Sequence, residues 1–207
     1  MNPRAEARSP FLASGYAGIA LEPPESGDLQ VLVPLAEGVL IAVIDGLGHG
    51  PEAALAARVA KSELEARPSQ PIKDLVRSCH EALRGTRGVV MSVVVLDARS
   101  STLTWLGVGN VEGALLRGAG SAGSDYEAIC ASGGVLGFRL PTLRSATLEV
   151  TPGDTLILAT DGIRSGFLQH IELGQNPQQL AEAILARDAR GSDDALVFCA
   201  RYLGGDP

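Results

Sequence analysis

The chain is predicted to fold as an α+β layered domain, with strands in runs and helices segregated between them rather than alternating as βαβ units. Three observations predict this. Apolar runs of strand length recur along most of the sequence. Two helical stretches follow one another directly, and a third comes late, just before a closing strand. With 207 residues, no internal repeat and no long linker, one domain with a sizeable core is expected.

Residues 1–14 are polar, carry Pro3 and Pro10, and are expected to be a loosely ordered segment ahead of a single domain over 15–207. Strand-like pattern begins at Tyr16–Leu21, followed by a turn at 22–28. Leu29–Pro34 and Val39–Ile44 read as a hairpin pair. A helix over Pro51–Ala66 places Ala53, Ala56, Ala57, Ala60 and Leu64 on one face. A second over Ile72–Leu83 places Ile72, Leu75, Val76, Cys79 and Leu83 at helical spacing. Strands resume at Val89–Leu96, Thr102–Val108 and Val111–Leu116. After a glycine- and serine-rich loop at Gly118–Ser124 come strands at Tyr126–Ala131, Ser145–Val150 and Thr155–Ala159. Leu180–Ala186 is the apolar part of a helix entered after Pro177, and Ala195–Tyr202 closes the fold.

Composition narrows the function. Hydrophobic residues make up 45% and charged residues 20%, which argues against disorder. The net charge of -7 argues against nucleic acid or an anionic membrane as partner, since both require a basic surface. Cys79, Cys130 and Cys199 lack metal-ligand spacing and read as small buried hydrophobes in a reducing compartment. No apolar run approaches the roughly 18 residues of a membrane span, and no signal-peptide core is evident, so a cytoplasmic location is expected.

The most informative stretch is Val39–Gly50. Six apolar residues form a strand buried on both faces, and that strand ends on Asp45 followed by glycines. A carboxylate at the mouth of a buried strand needs a partner, because an unpaired buried charge costs several kcal/mol or shifts its pKa. Asp161 closes the apolar strand Leu156–Ala159 in the same way, and two further acidic turns occur at Ser26-Gly-Asp28 and Ser192-Asp193-Asp194. Each motif alone is an ordinary turn. Two such strand ends side by side bring two carboxylates together, and like charges repel unless a cation intervenes. Oxygen-only ligands select hard cations, Mg²⁺ or Mn²⁺.

In order, Asp45-Gly-Leu-Gly-His-Gly50, Gly134-Val-Leu-Gly137, Thr160-Asp-Gly162 and Asp193-Asp194-Ala-Leu-Val resemble the motifs of the metal-dependent protein phosphatases, the protein phosphatase 2C superfamily. The form Asp-Gly-x-Gly-His-Gly is most similar to the bacterial SpoIIE-type branch. A compact, freestanding catalytic domain further resembles the stressosome phosphatases of that branch. The resemblance implies a four-layer α-β-β-α sandwich of two antiparallel sheets flanked by helix pairs, with two Mn²⁺ or Mg²⁺ ions at one edge. Carried over by motif, Asp45 bridges both ions and the Gly46 carbonyl binds one. Asp161 and Asp193 hold the other, and Asp28 binds directly or through water. Asp194 is a supporting or turn residue. The implied reaction is hydrolysis of phosphoserine or phosphothreonine by a metal-activated water. The implied partners are phosphorylated STAS-domain stressosome proteins, with the enzyme a monomer.

This chain departs from the family at several positions. Animal-type members place a His two residues after the bridging Asp, where this chain has Leu47. His49 is the candidate general acid, or it caps the helix or orders the turn. Ser165 stands where some relatives carry an acidic ligand for a third ion. Arg164 reads as solvent-exposed, Trp105 as packing, and His80 and His170 as lone histidines. Asn110 suits a hairpin turn with positive φ, and Glu63 and Glu65 form a solvated helix face. Two other readings compete: a phosphatase of an anti-anti-sigma factor outside a stressosome, and a non-catalytic phosphoprotein-binding module. A nucleotide-phosphate loop at 46–50 lacks the required Lys-Ser/Thr.

Overall fold

The computed structural model describes residues 9–118, 126–128, 131–171 and 174–205. Among these residues, ten strands form two five-stranded sheets. One sheet runs β2 (Asp28–Leu35), β3 (Gly38–Gly46), β4 (Val89–Asp97), β5 (Thr102–Val108), β8 (Ala146–Glu149). The other runs β1 (Leu12–Ile19), β10 (Ala195–Tyr202), β9 (Thr155–Ala159), β6 (Glu112–Leu116), β7 (Tyr126–Ala128). Every strand pairing is antiparallel.

The β3 pattern shows why the apolar runs have no polar face. Val39, Ile41 and Val43 point between the sheets, where they meet Trp105, Leu158, Leu196 and Phe198. Leu40, Ala42 and Ile44 point the other way, onto helices α1 (Pro51–Ala66) and α2 (Ile72–Ala82). A strand covered on both sides needs apolar residues at every position. In the second sheet, Ile157, Ala159, Val197 and Cys199 face α3 (Pro177–Asp188) through Leu180, Ala181 and Ile184.

The α-β-β-α layering is as expected, but the flanks are unequal. The first sheet carries the pair α1 and α2. Among the described residues the second carries α3 and a short 3-10 turn at Phe167–His170, whose Phe167 enters the same core. Its entry residue Gly166 is left-handed, and four residues complete the turn before the chain extends at Ile171. The first strand begins at Leu12, inside the stretch expected to be loose, because Leu12–Ile19 pairs with Tyr202–Ala195 along its whole length. Cys130 and most of the Gly118–Ser124 loop lie outside the described residues, as does residue 129; the strand expected over Tyr126–Ala131 is described as Tyr126–Ala128, and Ala131 is not in a strand.

Close packing across the sandwich depends on missing side chains. A Cβ added to Gly113 of β6 would sit 1.7 Å from the far edge of the Trp105 indole. Gly113→Val is therefore expected to cost about 1–3 kcal/mol by overpacking, read as a lower midpoint in urea unfolding. An unchanged midpoint would mean that the indole can move aside.

Candidate active site

Strand periodicity carries the acidic residues to one end of the sandwich. Asp45 continues the inward series of β3, because side chains alternate with period two. Asp28 is its cross-strand partner at the start of β2. Asp161 lies two residues beyond the end of β9, and Asp193 and Asp194 immediately precede β10. Asp45 and Asp161 thus come from different sheets and meet across the sandwich, a placement the sequence reading of two strand ends side by side did not specify. Asp45, Asp161 and Asp193 line one open cleft of about 340 Å³, with Leu47, Gly48, Asn110 and Gly133–Val135 among its walls.

Backbone and hydroxyl contacts fix these groups. Asp28 is buried, and the Thr160 hydroxyl donates to its Oδ2 at 2.7 Å. The same hydroxyl accepts the Leu196 N–H at 2.9 Å, so one oxygen joins β10 to β2. The buried Asp194 carboxylate accepts the N–H groups of Leu21 at 2.7 Å and Gly27 at 2.6 Å, which anchors the turn leading into Asp28. Asp193 Oδ1 accepts the Asp194 N–H at 2.9 Å. Gly46 has no room for a side chain, since a Cβ there would lie 2.3 Å from the Ala53 carbonyl oxygen of α1.

The electrostatics are unfavourable without a counter-ion. Burial, then Asp28 and the other acidic groups, pushes the Asp45 carboxyl up to about 9. Burial raises Asp28 to about 7 against the lowering effect of the Thr160 hydrogen bond, with Asp194, Asp161 and Asp193 adding to the rise. Among the described residues no hydrogen-bond donor reaches the Asp45 carboxylate, and no basic side chain lines the cleft. These all-oxygen donors fit a hard cation. No three His, Cys, Asp or Glu side chains among the described residues come close enough to hold an ion unaided. A cation here would use the Gly46 carbonyl and water as well, as Mg²⁺ does when it keeps part of its hydration shell.

Some single residues depart from their sequence reading, while Arg164, Cys79 and Cys199 match it. His49 is not a wall of the cleft; its Nδ1 lies 3.0 Å from Glu22 Oε1 at the surface. Asn110 does not adopt positive φ; that role falls to Gly109, at φ 101. The Asn110 amide instead donates to Asp161 Oδ2 at 2.7 Å and lines the cleft. Ser165 donates to Glu112 at 3.1 Å, and Arg164 is exposed. His80 is buried and accepts the Gly137 N–H at 3.0 Å. The His170 side chain lies outside what is described. Cys79 and Cys199 are free and buried, and burial pushes both thiols up, Cys79 to about 12, so neither supplies a thiolate nucleophile. The roles of Thr160 and Asn110 were missed. An Asn two residues after a strand, opposite an Asp-Gly strand end, was the available signal for the second.

A two-sheet sandwich with an acid-lined cleft at one end defines a known structural class. The sequence profile of the family described as Stage II sporulation protein E (SpoIIE) matches residues 36–203, and the chain belongs to that family. It is 24% identical over 157 residues to the phosphoserine phosphatase RsbX of Bacillus subtilis (strain 168), covering 75% of this chain and 77% of RsbX. Its fold superposes with a TM-score of 0.82 on RsbX in complex with magnesium, at 20% identity and covering 94% and 97% of the two chains. It superposes equally, at 29% identity over 92% of this chain and 99% of the other, on a chain from work on the bacterial stressosome as a modular system adapted to control secondary messenger signalling.

The raised carboxyl groups give a signed pH dependence. Asp28 and Asp45 keep protons that the unfolded chain, at 3.8, has already released, so their contribution falls as pH rises from about 4 through about 7 and 9. Thermal unfolding without metal should therefore weaken over that window, and Mg²⁺ should raise Tm more at pH 9 than at pH 5. A pH-independent Mg²⁺ effect would contradict this. Thr160→Val removes the cross-sheet hydroxyl and leaves the Leu196 N–H unpaired. A loss of about 1–3 kcal/mol in chemical unfolding is expected; less than about 0.5 kcal/mol would show the tie to be incidental.

Proposed function

We propose that this chain is a metal-dependent phosphoserine/phosphothreonine phosphatase that acts on phosphorylated STAS-domain proteins of a bacterial stressosome in the cytoplasm. The observation that carries this reading is the cleft itself: three carboxylates from two sheets, with no basic side chain among its described walls. Family membership and the likeness to RsbX support the phosphatase reading. The stressosome setting rests on the likeness, at 29% identity, to the chain from work on the bacterial stressosome.

In this reading Asp45 and the Gly46 carbonyl, with Asp28, Asp161 and Asp193, hold two Mg²⁺ or Mn²⁺ ions. When bound, the ions lower the pKa of an attacking water and neutralise the phosphoryl oxygens. The chain's own residues keep the ligands in place. Asn110 orients Asp161, Thr160 orients Asp28, and Asp194 fixes the turn before Asp28. The phosphorylated side chain enters between the Asp45–Gly48 loop and the Gly133–Val135 wall. His49 is left without a proton-transfer role, because its imidazole is engaged with Glu22 outside the cleft walls.

Hydrolysis of p-nitrophenyl phosphate, a phosphoserine peptide and a phosphorylated STAS-domain protein, with and without Mn²⁺ or Mg²⁺, tests the reading. Turnover should require metal and fall by at least about 100-fold in Asp45→Asn and Asp161→Asn, with folding verified by circular dichroism. Metal-independent turnover, or none by folded metal-loaded protein, would overturn it. Turnover of the peptide but not of the STAS-domain protein would overturn the substrate assignment alone.

A further inference from the structure

The turn at 135–139 has no part in holding the acidic residues, yet it is firmly pinned beside the cleft. Every backbone N–H from Val135 to Arg139 is bonded. Val135 and Arg139 exchange bonds at 3.1 and 2.9 Å, and Phe138 donates to the Val135 carbonyl at 3.2 Å. Leu136 exchanges bonds with Val89 at 2.9 and 3.1 Å, and Gly137 donates to His80 Nδ1 at 3.0 Å. A loop so fully satisfied holds one conformation.

What that conformation presents is Phe138, which is 68% exposed, more than any other large apolar side chain among the described residues. Its ring lies over Gly88, where an added Cβ would be 3.0 Å from Phe138 Cδ2. The Gly88 carbonyl in turn accepts the N–H of Leu47, two residues beyond Asp45. The same turn supplies Val135 to the cleft wall. An apolar ring held in water by a hydrogen-bonded turn, three residues from the cleft-wall residue Val135, is suited to cover an apolar group that arrives with the substrate.

We propose that Phe138 is a specificity-determining residue that packs against an apolar side chain flanking the phosphorylated residue of a protein substrate, with His80 as the positioning residue that holds its turn. This rests on the phosphatase reading and adds a sequence preference to it. His80 acts only through Gly137, as an acceptor, so its Nδ1 must be unprotonated in this arrangement.

The test uses full-length, metal-loaded protein and phosphoserine peptides identical except that leucine or serine occupies each flanking position in turn. The wild type should favour leucine at one position by about tenfold in kcat/KM, mainly through KM. Phe138→Ala should bring that ratio to about one, and Phe138→Leu should keep most of it. His80→Phe, which lacks the acceptor, should lower the ratio, and His80→Asn, which restores one near Nδ1, should recover it. No leucine preference in the wild type, or a preference that survives Phe138→Ala, overturns the proposal while leaving the phosphatase intact. Absence of turnover on every peptide and on p-nitrophenyl phosphate overturns the phosphatase reading, and this proposal falls with it.

Discussion

The acidic end of this molecule depends on one hydroxyl and one carboxylate that tie the two sheets together. Thr160, at the end of β9, reaches across to Asp28 while receiving the Leu196 N–H of β10. Asp194, just before β10, takes two N–H groups from the chain that leads into β2. The inner sheet faces otherwise meet mainly through apolar contacts, which are non-directional and tolerate sliding. These hydrogen bonds convert a sandwich that could shear into one whose two halves hold Asp45 and Asp161 in register. Removing either tie would leave the core largely intact and the cleft ill-defined.

The doubly buried strands explain the electrostatics as well. Because β3 is covered on one side by α1 and α2 and on the other by the second sheet, its last inward position lies where water is scarce. A carboxylate there is poorly solvated, and Asp28 is its cross-strand neighbour. Like charges on paired strands are destabilising, and low local dielectric magnifies the effect. The fold therefore stores an unfavourable charge arrangement, held by a core of apolar strands large enough to absorb it. Strain concentrated at one end of an otherwise consistent structure is the signature of a functional site.

Much of this was legible in the sequence, and the residues that were not have a common reason. The helix Pro51–Ala66 and the strands Thr102–Val108, Thr155–Ala159 and Ala195–Tyr202 have the bounds that their patterns predicted, because burial on one face or both writes itself into hydrophobic periodicity. Asp45 and Asp161 stood out because each ends an apolar run. Periodicity could not show that they belong to opposite sheets, which is a matter of strand order. Nor could it show that Asn110 turns its amide to Asp161, or that His80 receives Gly137. Both are contacts between residues 51 and 57 positions apart. His49 is near Asp45 in sequence, but between Gly48 and Gly50, both at positive φ, its imidazole lies against Glu22.

The charge of the cleft also constrains how a substrate enters. A phosphate monoester carries about two negative charges at neutral pH, and the described walls offer it Asp45, Asp161 and Asp193 with no basic side chain. The whole molecule adds a net charge of -7. Arg87, on the segment between α2 and β4, is already engaged by Glu52 at 2.6 Å. In the proposed reading, then, cations serve binding before they serve chemistry, since without them the cleft repels the group it must hold. Binding energy from the substrate's protein portion becomes correspondingly important. That energy must come from contacts beyond the phosphate, and in the proposed reading the turn that carries Val135 of the cleft wall and the exposed Phe138 supplies them.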